Sequence, residues 1–257
     1  MRIDLNSDLG EGFGPYIIAD DAGIMDIITS ANLACGYHAG DPVIMDRTIG
    51  LAKAAGVDIG AHVGYPDRMG FGRRPMSMDL AELEKHVIYQ LGALEGLARP
   101  YGRKISHMNP HGALGNLACA DRAVADALVR AISAFDPEIA YLVLTGTELE
   151  TAARSAGRQT INLFLADRAY LANGQLAPRN LPGAVIKDSK TSTERIMRLL
   201  DDGTLVTIDG QILRIEVQSI LVHSDTPGAI EMARAIRSAI TGAGGVITPL
   251  SELLQQS

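Results

Sequence analysis

A chain of 257 residues, 47% of them hydrophobic, is long enough for one large α/β domain with a sizeable core. It holds no Trp and only four Phe, so aliphatic side chains must fill that core. A formal net charge of −7 argues against nucleic acid or an anionic membrane as the main partner.

From the N-terminus, short apolar runs alternate with stretches of helical period. The runs predict strands at 2–5, 31–35, 57–62, 104–108, 140–144, 160–165 and 219–222. The clearest helical stretch is 80–97, where Leu80, Leu83, Val87, Leu91, Leu94 and Leu97 form one stripe. A second runs over 227–240, with Ile230, Ala233, Ile236 and Ile240. Asp41-Pro42 and Thr226-Pro227 each set a capping residue before a proline at the first helical position. Asp79 with Glu82, and Thr191 with Glu194, have capping-box spacing. Gly56, Gly102, Gly157 and Gly203 read as helix stops. Near the end, 205–208 and 212–217 flank Asp209-Gly210, which predicts a hairpin inserted before the last barrel strand.

This alternation predicts a mainly parallel sheet. About seven units suit a closed or nearly closed barrel better than an open doubly wound sheet. No linker or internal repeat interrupts the pattern, so a single domain over 1–257 is expected. There is no apolar signal region and no apolar run of about 18 residues, which predicts a cytoplasmic chain. Cys35 and Cys119 form neither a CxxC pair nor a disulfide framework, in keeping with a reducing compartment. Cys35, in a strand, reads as a small core residue rather than a nucleophile.

Ionisable residues gather just after the predicted strands: Asp8 and Glu11, His38 and Asp41, His62 and Asp67, His107 and His111, Asp167 and Arg168, His223 and Asp225. In a parallel barrel those loops open on one face, where active sites sit. Five of the six histidines fall there, with His86 the exception. Loops are polar in any case and Asp41 and Asp225 could serve as caps, but caps do not require histidine. Neutral imidazoles and carboxylates supply acid–base groups near neutral pH. Arg73, Arg74, Arg168 and Arg179 are candidate clamps for a carboxylate or phosphate.

Asp8-Leu9-Gly10-Glu11-Gly12-Phe13-Gly14 is a flexible loop but not a dinucleotide fingerprint, and no Walker A sequence occurs. No Gly-x-Ser-x-Gly elbow supports a serine hydrolase. His107 and His111 have HxxxH spacing, yet Pro110 excludes the helical zincin geometry. Asp8, His62 and His111 could form a His₂–carboxylate metal site. Acid–base roles explain the same residues, and no metal ligands are predicted.

Asp4-Leu5-Asn6-Ser7-Asp8-Leu9-Gly10-Glu11 resembles the N-terminal motif of the LamB/YcsF family, described as the A component of 5-oxoprolinase. So do the stretch from Ala31 through Gly36-Tyr37-His38-Ala39-Gly40-Asp41-Pro42, and Gly60-Ala61-His62. Pro66-Asp67-Arg68-Met69-Gly70-Phe71-Gly72-Arg73-Arg74, Pro110-His111-Gly112-Ala113-Leu114, Ala166-Asp167-Arg168-Ala169-Tyr170 and Val222-His223 to Asp225-Thr226-Pro227 follow in order, over nearly the whole chain. The resemblance implies a seven-stranded β/α barrel of the glycoside hydrolase/deacetylase type. It also implies ATP-dependent opening of 5-oxo-L-proline, or a related lactam, to L-glutamate, with the B and C components of 5-oxoprolinase as partners. A five-membered lactam is stable, and phosphorylation of the amide oxygen would activate it before water attacks; without a P-loop here, partners would supply much of the nucleotide handling.

On that basis Asp8, Glu11, His38, His62 and His111 are expected to do acid–base work and position water. Arg73, Arg74 and Arg179 are expected to hold the substrate carboxylate or an activating phosphate. Asn6, Asp41, Asp67, Asp167, Arg168, His223 and Asp225 complete the expected binding mouth. The chain departs from the family pattern at Val63, Asn109, Gly115 and Ser224, where Pro, a basic residue, Tyr and Gly are usual. Asn109 removes a cation that could stabilise an oxyanion or phosphate. Two other readings stand beside this one: a metal-dependent deacetylase of acylated sugars, and a non-catalytic lactam-binding subunit.

Overall fold

The computed structural model describes residues 1–255. The chain order is β1 (Arg2–Leu9), α1 (Asp21–Met25), β2 (Ser30–Ala34), α2 (Pro42–Ala55), β3 (Asp58–His62), α3 (Leu80–Ala98), β4 (Ile105–Met108), α4 (Gly112–Ala120), α5 (Arg122–Phe135) and β5 (Ala140–Val143). It continues with α6 (Glu148–Ser155), β6 (Thr160–Leu165), α7 (Ser189–Asp202), β7 (Thr204–Val206), β8 (Ile212–Arg214), β9 (Ser219–His223), α8 (Ala229–Gly242), β10 (Val246–Ile247) and α9 (Leu250–Leu254). Strands β1 to β6 pair in sequence, all parallel; β9 then joins β6 to β1 and closes a seven-stranded barrel. At the seam Asp4 faces Ser219 and Asp8 faces His223. β10 adds beside the start of β1, beneath the barrel.

Every predicted barrel strand is present, within a few residues at each end. β1 exceeds its expected end the most, running through Asn6, Ser7 and Asp8 to Leu9. Alternate residues explain both its length and its polarity, because successive side chains on a strand point to opposite faces. Ile3, Leu5 and Leu9 pack in the aliphatic core beneath the helices, while Asp4, Asn6 and Asp8 share polar partners inside the barrel. There they meet Ser30, Asn32, His107 and Ser219, and all of these are buried. Gly60 makes room for this column. A Cβ there would lie 2.2 Å from His107 Nε2, at the place where the β3–β4 register shifts.

The expected helix signals are mostly used. Asp41 caps α2 by accepting from Val43 and Ile44 N–H, and Asp79 caps α3 from Ala81 and Glu82 N–H. Leu83, Val87, Leu91 and Leu94 form the buried stripe of α3, which packs against α5. Two signals differ from expectation. Thr226 does not cap α8: its hydroxyl donates to Asp167 instead, and the helix starts at Ala229 after Gly228 in the left-handed region (φ 82). Thr191 lies inside the first turn of α7, where Asp188 accepts its N–H and is the cap. The hairpin around Asp209-Gly210 does form, as β7 and β8, and is shorter than its apolar runs.

Residues 166–188, between β6 and α7, carry no sequence signal for structure of their own. They fold back through bridges Arg168–Val185 and Tyr170–Leu176, around a small cluster of Ala169, Ala177 and Ala184. No described helix is long and apolar enough to cross a membrane.

Candidate functional site

The C-terminal ends of the strands bring together side chains that are far apart in the chain. Asp8 is next to last in β1, His62 ends β3 and His223 ends β9; Glu11, His38 and His111 follow β1, β2 and β4 within a few residues. All but His223 are buried. Glu11 Oε1 lies 3.1 Å from His38 Nε2, 3.5 Å from His111 Nδ1 and 3.7 Å from His62 Nε2. His62 Nε2 lies 3.4 Å from Asp8 Oδ2 and 3.0 Å from His111 Nδ1. Four donors, one each from Glu11, His38, His62 and His111, all fall within 4.8 Å of one another, a group capable of holding a metal ion.

Backbone carbonyls fix two of the rings. A carbonyl can only accept, so His62 Nδ1 donates to Asn109 O (2.8 Å) and His111 Nε2 donates to Phe71 O (2.7 Å). His38 stacks on His111 with centroids 3.7 Å apart, and Gly64 and Gly72 leave the space these two rings fill.

Burial works against charge throughout, and each partner decides the outcome. Burial disfavours the His62 cation, but Asp8 and Glu11 outweigh it and push its pKa up to about 9. Burial would likewise raise Asp8, but His62, His223 and Asn32 hold its carboxyl well below the usual range. Burial, and next the Asp8 charge, push Glu11 up to about 8. Burial and neighbouring imidazoles keep His38 and His111 neutral. At neutral pH the cluster thus holds an Asp8–His62 ion pair, a protonated Glu11 and two neutral imidazoles.

A second pair stands beside it. His223 Nδ1 is 2.7 Å from Asp167 Oδ1, and Thr226 donates to Asp167 Oδ2. Burial opposes both charges, but the two groups sustain each other, with His223 raised and Asp167 lowered.

A cavity of about 540 Å³ opens over these groups. Asp8, His62, His111, His223, Arg73 and Arg179 supply its polar lining. Leu142, Leu144, Leu163, Leu165, Leu171 and Leu176 supply its apolar lining. The excursion 166–188 supplies part of both.

The remaining predicted residues occupy different places. Arg73 lines the cavity and pairs with Asp225 at 2.6 Å. Arg179 stands exposed at the mouth. Arg168 borders the cavity, but its guanidinium donates to the Ala177 and Ala184 carbonyls and so holds the excursion in place. Asp67 and Arg74 pair with each other outside the cavity lining. Asp41 caps α2 and accepts from Gly14 N–H. Asn6 lies deeper, bonded to Ser30 and Asn32. His107, at the end of a predicted strand, points into the barrel toward Asn32 rather than joining the rim. The leucine lining lies outside the sequence expectations, although Leu142 with Leu144 and Leu163 with Leu165 have the two-residue spacing of one strand face. The carbonyls of Phe71 and Asn109 have no side-chain signal to find.

The LamB/YcsF family model matches residues 3–255. A protein of Pseudomonas syringae pv. tomato, named as the first of its 5-oxoprolinase A subunits, is 52% identical over 254 residues, covering 99% of both chains. A crystal structure of a lactam utilization protein from Thermus thermophilus superposes with a TM-score of 0.92 at 41% identity, covering 97% of this chain and 100% of that one. A family 4 carbohydrate esterase from Streptomyces lividans shares the fold at a TM-score of 0.50 and 11% identity, over 96% of this chain and 91% of its own.

Proposed function

The chain belongs to the LamB/YcsF family, and on that premise we propose that it is the A component of a 5-oxoprolinase, opening 5-oxo-L-proline to L-glutamate with ATP hydrolysis. The observation that carries this reading is a cavity lined by both ionisable groups and leucines. A small lactam acid has an apolar edge of ring methylenes, a carboxylate and a polar amide. The leucines take the methylenes, Arg179 and Arg73 hold the carboxylate, and the amide then lies against Asp8, His62 and His111. A guanidinium fork matches a carboxylate in both shape and charge.

Two tasks follow for the cluster. Water must lose a proton as it attacks the amide carbon, and the ring nitrogen must gain one as its bond to that carbon breaks. The Asp8 carboxylate, ionised and lining the cavity, serves as the acceptor and protonated Glu11 as the reservoir for the departing nitrogen, while His111 positions His62 between them. The His62 cation, held by Asp8, stabilises negative charge on the amide oxygen or on a phosphate carried by it. The B and C components share the nucleotide work, in line with the lack of a P-loop in this chain.

The test is to incubate 5-oxoproline and ATP with the chain plus its partner components and to measure glutamate. Product above that of the partners alone is expected; none would overturn the substrate assignment. His111→Ala in the same assay separates chemistry from recruitment. Intact assembly with turnover lost supports a catalytic role, whereas unchanged turnover supports a lactam-binding one.

A further inference from the structure

We propose that His62 Nε2, His111 Nδ1 and Glu11 Oε1 form a binding site for a divalent first-row transition-metal ion, open to the cavity. The inference stands on the geometry of the cluster and not on which lactam is bound; with an ion in place these three groups act as ligands, and the proton roles given above belong to the metal-free cluster.

The first argument is the direction of the lone pairs. Because Asn109 O and Phe71 O each take the outer N–H of a ring, the inner nitrogens of His62 and His111 are the pair turned toward one another, and the proton the His62 cation holds between them, like the proton on Glu11, is what a metal ion would displace. They face each other at 3.0 Å. Two lone pairs at that distance repel unless a proton or a metal ion lies between them. Outer N–H groups donated to backbone carbonyls are also the usual way a metal-binding histidine is oriented.

Distance gives the second argument. The three atoms form a triangle with edges of 3.0, 3.5 and 3.7 Å, whose centre lies about 2.0 Å from each corner. Zinc takes bonds of about 2.0–2.2 Å to imidazole nitrogen and carboxylate oxygen. The ring planes of His62 and His111 are 84° apart, so two in-plane lone pairs can converge on one point. His38 is excluded as a further ligand by its ring. It lies parallel to His111 at an angle of 6°, and an ion in the plane of one ring is out of the plane of the other.

Three protein ligands with a fourth position toward the cavity is the pattern of a catalytic rather than a structural ion. His62 and His111 both line that cavity. An N₂O donor set suits zinc, iron, nickel, cobalt or manganese better than calcium or magnesium. Such an ion would polarise an amide oxygen or lower the pKa of bound water.

The experiment uses the isolated full-length chain, stripped by chelator and titrated with Co²⁺, with visible absorption as the readout and no substrate. One equivalent is expected to give a saturable ligand-field band. His62→Ala and His111→Ala should each weaken binding by about 100-fold or more, since even outer-sphere partners are worth 10–100-fold. His111→Cys, whose thiolate is a stronger cobalt chromophore, should bind and add a charge-transfer band in the near ultraviolet. No one-to-one band in the unsubstituted chain would overturn the proposal and leave a shared proton between the two rings. So would a band unchanged by His111→Ala in a chain whose circular dichroism is intact. Glutamate formation plays no part in these readings, so they fail or succeed apart from the oxoprolinase assignment.

Discussion

Asp4 and Asp8 lie on the same strand, point to the same side and are both buried, yet their acidities shift in opposite directions. Around Asp4 the partners are hydroxyls: Thr29, Ser30 and Ser219 donate to it at 2.8, 2.7 and 2.5 Å. Burial, only partly offset by these bonds, pushes its pKa up to about 7. Around Asp8 the partners are two imidazoles that can carry charge, and they hold it ionised against the same burial. The difference teaches that inside this barrel depth does not decide charge; the type of partner does. The lower half is a hydrogen-bonded plug, and the upper half is a site.

The comparison is broken most severely by removing the partner of the charged member. His62→Ala leaves Asp8 buried beside open space, which should cost about 3–5 kcal/mol in urea unfolding. In the assembled enzyme it should lower kcat/KM by about 100-fold or more. Asp4→Asn sharpens the contrast from the other end. A carboxyl with a raised folded pKa stabilises fully below the unfolded value of 3.8 and loses that contribution as pH rises through about 7. The variant lacks this loss, so its stability relative to the parent should climb by roughly 2–4 kcal/mol between pH 4 and pH 8. Flat difference curves would show that Asp4 does not titrate in that interval.

Between the two halves sits Gly60, whose substitution by Ala drives a methyl group against His107. Overpacking of this kind should cost about 2–3 kcal/mol. Its thermal melt should shift in the absence of any ligand. The smallest effect belongs to the second pair of the upper half. Asp167→Asn should cost about 1.5–2 kcal/mol. Asp167 is lowered, so its share is present above about 4 and lost in acid; His223 is raised, so its share is complete below about 6.5 and fades in base. The difference between parent and variant should therefore be widest between those two pH values.

The framework of the fold was legible because each barrel strand is a short apolar run bounded by turn residues. β1 shows where that legibility stops. Asp4, Asn6 and Asp8 alternate with Ile3, Leu5 and Leu9, a pattern that ordinarily marks a strand with one face in water. Here both faces are buried, one in aliphatic core and one in a polar lumen, and hydropathy cannot tell a lumen from solvent. The charged lining was readable because histidines after successive strands converge once the strands align. Arg168 and Asp67 carried the same signal and do other work: one holds a loop, the other holds Arg74. No residue type separates an arginine facing a ligand from one facing a carbonyl. The excursion 166–188 was invisible for a related reason. Backbone bridges and three alanines hold it, and neither leaves a periodic trace.

The seam between β1 and β9 joins residues 215 positions apart, as the Ser219–Asp4 hydrogen bond shows. During synthesis β1 emerges first and must wait as an unpaired edge until nearly the whole chain has left the ribosome. An all-aliphatic strand in that position would be an invitation to pair with a neighbouring nascent chain. Inward-pointing Asp4, Asn6 and Asp8 keep the waiting edge wettable and discourage such pairing. The residues that plug and charge the finished barrel thereby guard its assembly as well.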